Sequence, residues 1–503
     1  MSIEVNLHSI KSAIYLYIAL PICIFCVGWL RWYISIPMVL LLGYSVFCMI
    51  SKSSNKNDKI SLRVNHIVII TIVAFLWCFL AGQGGFFYQS QDHNARNAIF
   101  RDLIMKEWPV TYEGGNAGLV YYIGHWMIPA VIGKLSLVLF TADTAWKIAN
   151  IMLFLWSGIG ILFIELLLIK VTKAFSLKKM VIALTMLIFF SGMDIIGIIL
   201  QCFTNNRLIL IEHIECWATV AQYSSLTTCL FWVFNQAIVP WIIVLLYLDD
   251  ESYSNYAFLG ISCIAYGPLP ALGLVPFFVC NAIHLLIIRK QRIVDVLKNI
   301  FSFQNIYATV FILPVYFLFY KTNYAYVGTG VSTVLETPWS IQKTAMVLIA
   351  FFLFEFAIYA FIISDYYKKN INFYITVVVL SLIVLFKVGT SIDFTMRVSI
   401  PAIFVLMVLI LKYIFACQEK IQNFKVKRWR YLLLSLTLAI GMMTPLVEYL
   451  RAGYYVAKNG KLAVVADNII TLEGKELDVT QNFIATDIED KFFFKYLIRE
   501  DYK

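Results

Sequence analysis

The chain carries little charge. Aspartate, glutamate, lysine and arginine together make up 14% of its 503 residues, whereas about a quarter of the residues in an average soluble domain are charged. Hydrophobic residues make up 61%, and the mean hydropathy is +0.80. The shortage of charge excludes an ordinary soluble domain and predicts an all-α polytopic membrane protein, because each run of about 17 to 25 apolar residues can cross a bilayer as a helix.

Signatures of several other protein classes are missing. The ten cysteines lie mostly inside apolar runs, and so does the one pair with CxxC spacing, Cys23 and Cys26, so neither a zinc site nor a disulfide framework is indicated. No internal repeat is evident, which counts against an inverted-repeat transporter. The first apolar run is long and is directly followed by another, which favours a retained helix over a cleavable signal peptide. The basic residues behind the net charge of +10 fall in short loops between apolar runs, so nucleic-acid binding is not expected.

Apolar windows predict about thirteen transmembrane helices. The windows are 12–32, 34–50, 66–82, 145–169, 180–203, 226–247, 256–270, 272–288, 304–320, 342–364, 373–388, 399–416 and 430–449. Five loops between them are basic, namely 52–63, 170–179, 289–298, 368–369 and 420–430. These basic loops fall on one side of the membrane only if the apolar stretch 118–140 does not cross. Because basic loops stay cytoplasmic, we expect a cytoplasmic N-terminus, an external C-terminus and juxtamembrane helices within 118–140.

This topology predicts two parts. Residues 1–449 form a transmembrane module, within which 83–140 is an external loop followed by juxtamembrane helices. Residues 450–503 are mixed and charged, and they form a small external appendage. The localisation that fits is the bacterial plasma membrane, with several passes through it.

Most unusual polar residues then lie on the external side. They concentrate in four loops, namely 83–117, 204–225, 321–341 and 389–398. Loops of this kind above an apolar bundle would enclose a cavity that is wet at the top and apolar at the sides. Such a cavity suits a lipid-linked phosphate, because the chain can lie between helices while the phosphate meets cationic side chains.

The first of these loops contains our candidate catalytic residue, Asp92, in the stretch QSQDHNARN. Its polar neighbours keep it hydrated, and the nearby Arg96 favours its ionised form. Asp92 would therefore act as a base toward an acceptor hydroxyl. The alternative is that Asp92 caps the helix that follows it, a position at which aspartate is favoured.

Other ionisable residues are candidates for binding the donor phosphate or the substrate. Arg397 could instead be an interfacial arginine whose head reaches to the membrane surface, and Glu215 could lie in an interfacial belt. A divalent metal, Mg²⁺ or Mn²⁺, is left open, with Glu212 and His213 as weakly spaced ligands, and no metal residue is assigned. The binding candidates are Arg96, Arg101, Arg397, His93, Asp102, His213, Glu215 and Asp393.

The position of Asp92, in the first large external loop after an early span, resembles that of the GT-C-fold glycosyltransferases. These include oligosaccharyltransferases, protein O-mannosyltransferases and aminoarabinose transferases. In that fold the aspartate of this loop is catalytic or orients the acceptor, juxtamembrane helices follow, and the donor is a lipid-linked sugar. The segment LVYYIGHW that leads into 118–140 is similar to the juxtamembrane layout. This chain differs in its additional early spans and in its smaller tail, which argues against a protein acceptor.

The expected function is an integral-membrane glycosyltransferase. It would transfer a sugar from a polyprenyl-phosphate donor to a cell-envelope glycan or lipid, with membrane lipids around it. Two alternatives use the same kind of molecule: a polymerase or ligase of surface polysaccharide, and a flippase or transporter of lipid-linked sugars. A transporter predicts charges distributed through the depth of the bundle.

Overall fold

The structure is a computed structural model. It describes residues 2–52, 59–112, 116–204, 213–249, 253–287, 292–323, 331–334, 339–388, 392–419, 428–459, 469 and 482–499. Helices dominate these residues, and the strands are short. The chain is therefore a mostly helical polytopic membrane protein.

Twenty-one α-helices follow one another along the described residues. They are α1 Leu7–Trp29, α2 Trp32–Lys52, α3 Val64–Leu80, α4 His93–Met105, α5 Met127–Ser136, α6 Ala142–Thr172, α7 Leu177–Phe189, α8 Asp194–Thr204, α9 Leu226–Asp249, α10 Tyr256–Ser262, α11 Pro268–Ile287, α12 Ile293–Ile300, α13 Phe303–Tyr307, α14 Leu313–Lys321, α15 Ile341–Phe352, α16 Ile358–Ile363, α17 Ile371–Leu382, α18 Asp393–Val398, α19 Ile400–Gln418, α20 Arg428–Gly441 and α21 Met443–Asn459.

The described helices include ten that are long and apolar enough to cross a membrane. The predicted windows 66–82 and 373–388 correspond to shorter apolar helices, Val64–Leu80 and Ile371–Leu385. Among the predicted spans, 256–270 differs most from the observed helices. It consists of the seven-residue α10 and a 3-10 turn, Cys263–Ala265, and α11 begins at Pro268. Gly267 and Pro268 separate the two helices because proline supplies no backbone N–H to continue the ladder.

The stretch 118–140 does not form a spanning helix. Its α-helix, α5, has ten residues, which is about half of the length that a membrane crossing needs. After it, Val138, Leu139 and Phe140 are exposed. An apolar helix of this length with exposed apolar residues at its end suits a juxtamembrane position, as the sequence predicts.

A two-stranded antiparallel sheet joins the beginnings of α1 and α3. Strand β1, Ser2–Asn6, pairs antiparallel with β2, Lys59–Arg63. The side chain of Asn6 also accepts hydrogen bonds from the first backbone N–H groups of α1. The two helices therefore start at the same end of the bundle, and α2, which follows α1 in the chain, returns to that end.

We call this end, which carries the basic loops, the basic end. Asp249, at the end of α9, pairs there with Lys11 at 2.7 Å and with Lys170 at 2.8 Å. Asp365 lies 2.9 Å from Arg430. The position of Asp249 at the basic end is therefore explained by its two lysine partners, which belong to α1 and α6. Which side of a membrane this end faces stays a prediction.

The opposite end of the bundle, which we call the polar end, carries α4, α5, α18 and the C-terminal segment. Strands β3, Thr111–Tyr112, β4, Ala117–Leu119, and β7, Ile484–Thr486, form a three-stranded antiparallel sheet in the order β3-β4-β7. A second pair, β5 Val331–Thr333 and β6 Phe386–Val388, joins two further loops. The β4–β7 pairing attaches the described part of the tail, 482–499, to the first polar loop.

Helices α9 and α19 lie at the centre of the bundle. They are the most completely buried of the candidate spans, at 94% and 89% of their apolar windows. Both are hydrophobic on every face, as expected for helices surrounded by other helices. They provide the rigid support beneath the polar end.

Candidate functional site

A cavity of about 520 Å³ opens at the polar end. Its walls come from four parts of the chain, namely the beginning of α4, the segment before α5, helix α18 and the C-terminal tail. The lining residues are Gln91, Asp92, Ala95, Arg96, Tyr121, Tyr122, Asp393, Arg397, Asn482 and Phe483. Four of the residues predicted from the sequence are thus brought together although up to about 300 positions separate them.

Asp92 and Arg96 form one wall of the cavity. The Asp92 Oδ2 atom lies 3.0 Å from Nη2 of Arg96, one helical turn further along α4. Asp92 stands at the N-cap position, but its side chain makes no capping hydrogen bond, so the capping alternative does not account for it. Its side chain is 46% exposed, whereas that of Arg96 is 5% exposed. The carboxylate therefore reaches the water of the cavity while the guanidinium lies beneath it.

Asp393 and Arg397 form a second part of the lining, with the same i,i+4 spacing. Arg397 Nη2 lies 3.1 Å from Asp393 Oδ2, and Nη1 donates to the Tyr122 hydroxyl at 3.3 Å. Burial lowers the pKa of Arg397, but Tyr122 and Asp393 outweigh that effect and raise it above its ordinary value. Arg397 therefore stays cationic.

Both arginines keep unused hydrogen-bond donors. Over the described residues, Nε and Nη1 of Arg96 and Nε of Arg397 are buried and have no protein partner. A guanidinium has five N–H groups, and buried donors are normally satisfied. Each arginine is therefore bonded on one side to an aspartate and has capacity for a second acceptor.

Two tyrosines complete the site, although the sequence analysis assigned them no role. The rings of Tyr121 and Tyr122 lie 3.7 Å apart, and the Tyr122 hydroxyl also accepts from Nε2 of Gln236 at 3.1 Å. Burial raises the pKa of Tyr121 well above its ordinary value, so its hydroxyl stays protonated and can donate. The YY pair in LVYYIGHW was the available signal, but aromatic pairs are also common in membrane-interface belts.

The C-terminal tail covers part of the cavity. Strand β7 pairs with β4, and the ring of Phe483, just before β7, contacts that of Tyr121 with centroids 4.7 Å apart. Asn482 lies beside it on the lining. The tail therefore contributes directly to the site, which the sequence analysis did not foresee.

Three predicted residues of the first loop lie elsewhere. His93 is buried beside Ser90, with its Nδ1 3.1 Å from that hydroxyl, and burial together with Arg96 lowers its pKa to about 3. Arg101 lies over the Trp146 ring at 5.8 Å. None of the three, Asp102 included, is part of the cavity lining.

Asp102 instead connects distant parts of the polar end. It accepts a hydrogen bond from the Tyr112 hydroxyl at 2.6 Å and one from the backbone N–H of Ile469 at 3.2 Å. Burial raises the pKa of Asp102, against the effect of these bonds. Its observed contacts are structural, and they fix β3 and one residue of the tail to α4.

The second polar loop approaches the site without lining it. Glu215 is buried and accepts from the backbone N–H of Ser225 at 2.9 Å and from Gln222 at 3.2 Å. The backbone N–H of Gln222 donates to the Thr395 hydroxyl at 3.2 Å, on the same short helix as Arg397. Glu215 therefore supports α18 from behind through Gln222.

His213 lies further from the cavity, against α9 and α21. Its ring contacts that of Trp232, with centroids 3.9 Å apart, and its Nδ1 lies 3.5 Å from Oε1 of Glu448. Glu212, proposed with His213 as a metal ligand, lies outside the described residues. Within the part that is described, no group of three or more histidine, cysteine, aspartate or glutamate side chains could hold a metal ion.

A pair of carboxyl groups lies inside the bundle. Asp194 and Glu355 are both buried and lie close enough to perturb each other's electrostatics. Asp194 also accepts from Ser191 and Thr444, and Glu355 accepts from the Trp217 indole at 3.1 Å. Because a carboxyl at bilayer depth is costly without a partner, the two in-span groups are explained in part by their position next to one another.

Comparisons with known proteins leave the site to be interpreted from its geometry. No protein-family model matches the chain, and no match is found among curated proteins or solved structures. The resemblance to the GT-C fold therefore stays a prediction.

Proposed function

We propose that this protein is an integral-membrane glycosyltransferase that uses a polyprenyl-phosphate-linked sugar. The observation that carries the proposal is the cavity at the polar end, where Arg96 and Arg397 retain unused donors beside the half-exposed carboxylate of Asp92. The acceptor is a hydroxyl of a cell-envelope glycan or lipid. We further propose that the polar end faces outward from a bacterial plasma membrane.

The arginines are suited to hold the phosphate. Arginine presents rigid N–H pairs that match phosphate oxygens. In the cavity these groups are largely shielded from water, where charge interactions are stronger than in bulk solvent. When the glycosidic C–O bond breaks, the leaving phosphate takes the electron pair. Arg96 and Arg397 would stabilise that negative charge.

Asp92 is suited to take up the proton. The acceptor oxygen forms the new bond to the anomeric carbon, and its proton passes to the Asp92 carboxylate. Arg96 keeps the carboxylate oriented from beneath. Asp393, equally exposed at 46%, belongs to the same cavity lining and is suited to orient a sugar hydroxyl.

One observation favours a second candidate, a transporter of lipid-linked sugars. The pair Asp194 and Glu355 lies within the bundle, where a carboxyl costs about 2.5–3.5 kcal/mol on insertion scales. Proton-coupled transporters use such groups. Proteoliposomes that move a lipid-linked sugar between leaflets without transferring it would support this candidate over the enzyme. A polymerase or ligase of surface polysaccharide would use the same cavity with a glycan donor.

Substitution of Asp92 tests the proposal. Asp92→Asn keeps the shape and removes the base, so transfer from a polyprenyl-phosphate sugar should fall by about 10²–10⁴-fold, the usual contribution of a general base. Asp143→Asn is the matched control, because Asp143 is an exposed aspartate that also forms an i,i+4 ion pair, with Lys147. Full activity of Asp92→Asn in proteoliposomes would refute the assignment.

A further inference from the structure

A second and larger hollow lies on the side of the bundle. It measures about 640 Å³ and is bounded by α10, α11 and the chain from Ile300 to Leu313. Its wall is mostly aliphatic and aromatic, and we call it the lateral groove. Representative lining residues are Ile261, Ile264, Leu272, Val275, Val279 and Ile283.

The few polar groups of the lateral groove are already used. Asn305 accepts from the backbone N–H of Phe258 at 3.0 Å and donates to the Tyr253 carbonyl at 2.9 Å. Tyr253 lies in the turn Tyr253–Asn255, which follows Asp249 of the basic end closely in the chain, while Phe258 belongs to α10 and Asn305 to α13. Nothing along the groove therefore favours a polar ligand, and its chemistry matches hydrocarbon.

The length of the lateral groove favours a long chain. Its lining runs along α11 from Pro268 to Leu286, which is about 27 Å at 1.5 Å per residue. The hydrocarbon core of a bilayer is about 30 Å thick. A phospholipid chain stays in its own leaflet, roughly half of that thickness, so it would fill only part of the groove.

The end of the lateral groove formed by Ile264 and Pro268 lies next to the cavity at the polar end. Between Ile264 and Pro268, both on the groove, a Cβ added at Gly267 would come within 3.1 Å of Gln236. Gln236 in turn donates a hydrogen bond to the Tyr122 hydroxyl, which also accepts a hydrogen bond from Arg397. One layer of side chains thus separates the hydrocarbon groove from a cationic site.

We infer that the lateral groove holds the isoprenoid chain of the donor while its phosphate lies at Arg397 and Arg96. This inference rests on the proposed function, since it names the path that the donor lipid takes. The occupant must be an amphiphile with an anionic head and a chain longer than one leaflet. A polyprenyl phosphate has both properties, whereas a bulk phospholipid has only the first.

Photo-crosslinking tests the occupant without requiring catalysis. Val279, on the groove, and Val68, on α3, are both 49% exposed, so a benzophenone amino acid at either position meets the membrane equally. In nanodiscs containing phospholipid and a long-chain polyprenyl phosphate, position 279 should yield an adduct with the isoprenoid mass and position 68 only phospholipid adducts. Phospholipid adducts alone at both positions would overturn the inference.

A kinetic experiment separates this inference from the proposed function. Val279→Phe narrows the lower groove, so KM for a long-chain donor should rise about tenfold, equivalent to about 1.4 kcal/mol. KM for a geranyl-phosphate-linked sugar, whose chain ends above that position, should not change, and Val68→Phe should alter neither. If KM for the long-chain donor does not change, the lateral groove does not hold the donor chain, whereas the proposed sugar transfer is unaffected. If position 279 yields an isoprenoid adduct but the protein transfers no sugar, the groove does bind an isoprenoid chain and the proposed transferase activity is refuted.

Discussion

Gly192 allows a sharp test of how the interior of the bundle is built. It lies in the break between α7 and α8, where the backbone N–H of Met193 donates to the Phe354 carbonyl at 3.0 Å. A Cβ added at Gly192 would lie 2.0 Å from Oε2 of Glu355 and 3.1 Å from its Cα. The Cα is backbone, so rotation of the Glu355 side chain cannot relieve the whole overlap.

Gly192→Ala should therefore destabilise the protein by about 1–3 kcal/mol, the usual range for overpacking in a closely packed interior. Equilibrium unfolding in mixed micelles, followed by tryptophan fluorescence, measures the change. Gly43→Ala is the matched control, because a Cβ there would meet nothing within 4 Å. The control should be neutral or stabilising, since alanine is the better helix former.

A double-mutant cycle assigns the effect to Glu355. Shortening its side chain in Glu355→Ala removes the Oε2 atom that the new Cβ would overlap. The combined variant should then be less destabilised than the sum of the two single variants, with a coupling of about 1 kcal/mol. Equal stability of Gly192→Ala and Gly43→Ala would refute the packing described for the Asp194–Glu355 pair.

Two further predictions concern buried carboxyls at the polar end. Asp102→Ala removes the acceptor of the Ile469 amide, so hydrogen exchange at that amide should accelerate about tenfold, and exchange at the wild-type rate would contradict the bond. Burial raises the pKa of Glu215 from 4.5 to about 8, so the folded state keeps this proton up to a higher pH than the unfolded state does. The resulting stability is complete below pH 4.5 and is lost as the pH rises to about 8. Glu215→Gln should flatten this decline in denaturation measured against pH, and Glu107→Gln, an exposed control, should not.

The sequence was sufficient for much of the fold, because hydropathy depends on composition alone. Ten of the predicted windows coincide with long apolar helices of the described chain, and 118–140 was correctly expected not to span. The window 256–270 was harder, since a Gly-Pro break inside an apolar run leaves its mean hydropathy high. Only the backbone shows that α10 ends after seven residues.

The site was predicted in part for a physical reason. Placing the polar loops at one end of the bundle brought Asp92, Arg96, Asp393 and Arg397 to the same surface, as found in the cavity. Their lateral positions depend on helix packing, which periodicity does not encode. For the same reason the contribution of the tail was missed, because the β4–β7 pairing joins residues that lie more than 350 positions apart.

The most direct test of the account is the affinity for a long-chain polyprenyl phosphate in nanodiscs. Arg96→Gln and Arg397→Gln each remove a guanidinium that belongs to the cavity lining and keeps at least one unused donor. A hydrogen bond to a charged group contributes about 1.5–3 kcal/mol, so each variant should bind at least about tenfold more weakly than the wild type. If both variants remain folded and bind the lipid phosphate as tightly as the wild type does, the cavity is not its binding site.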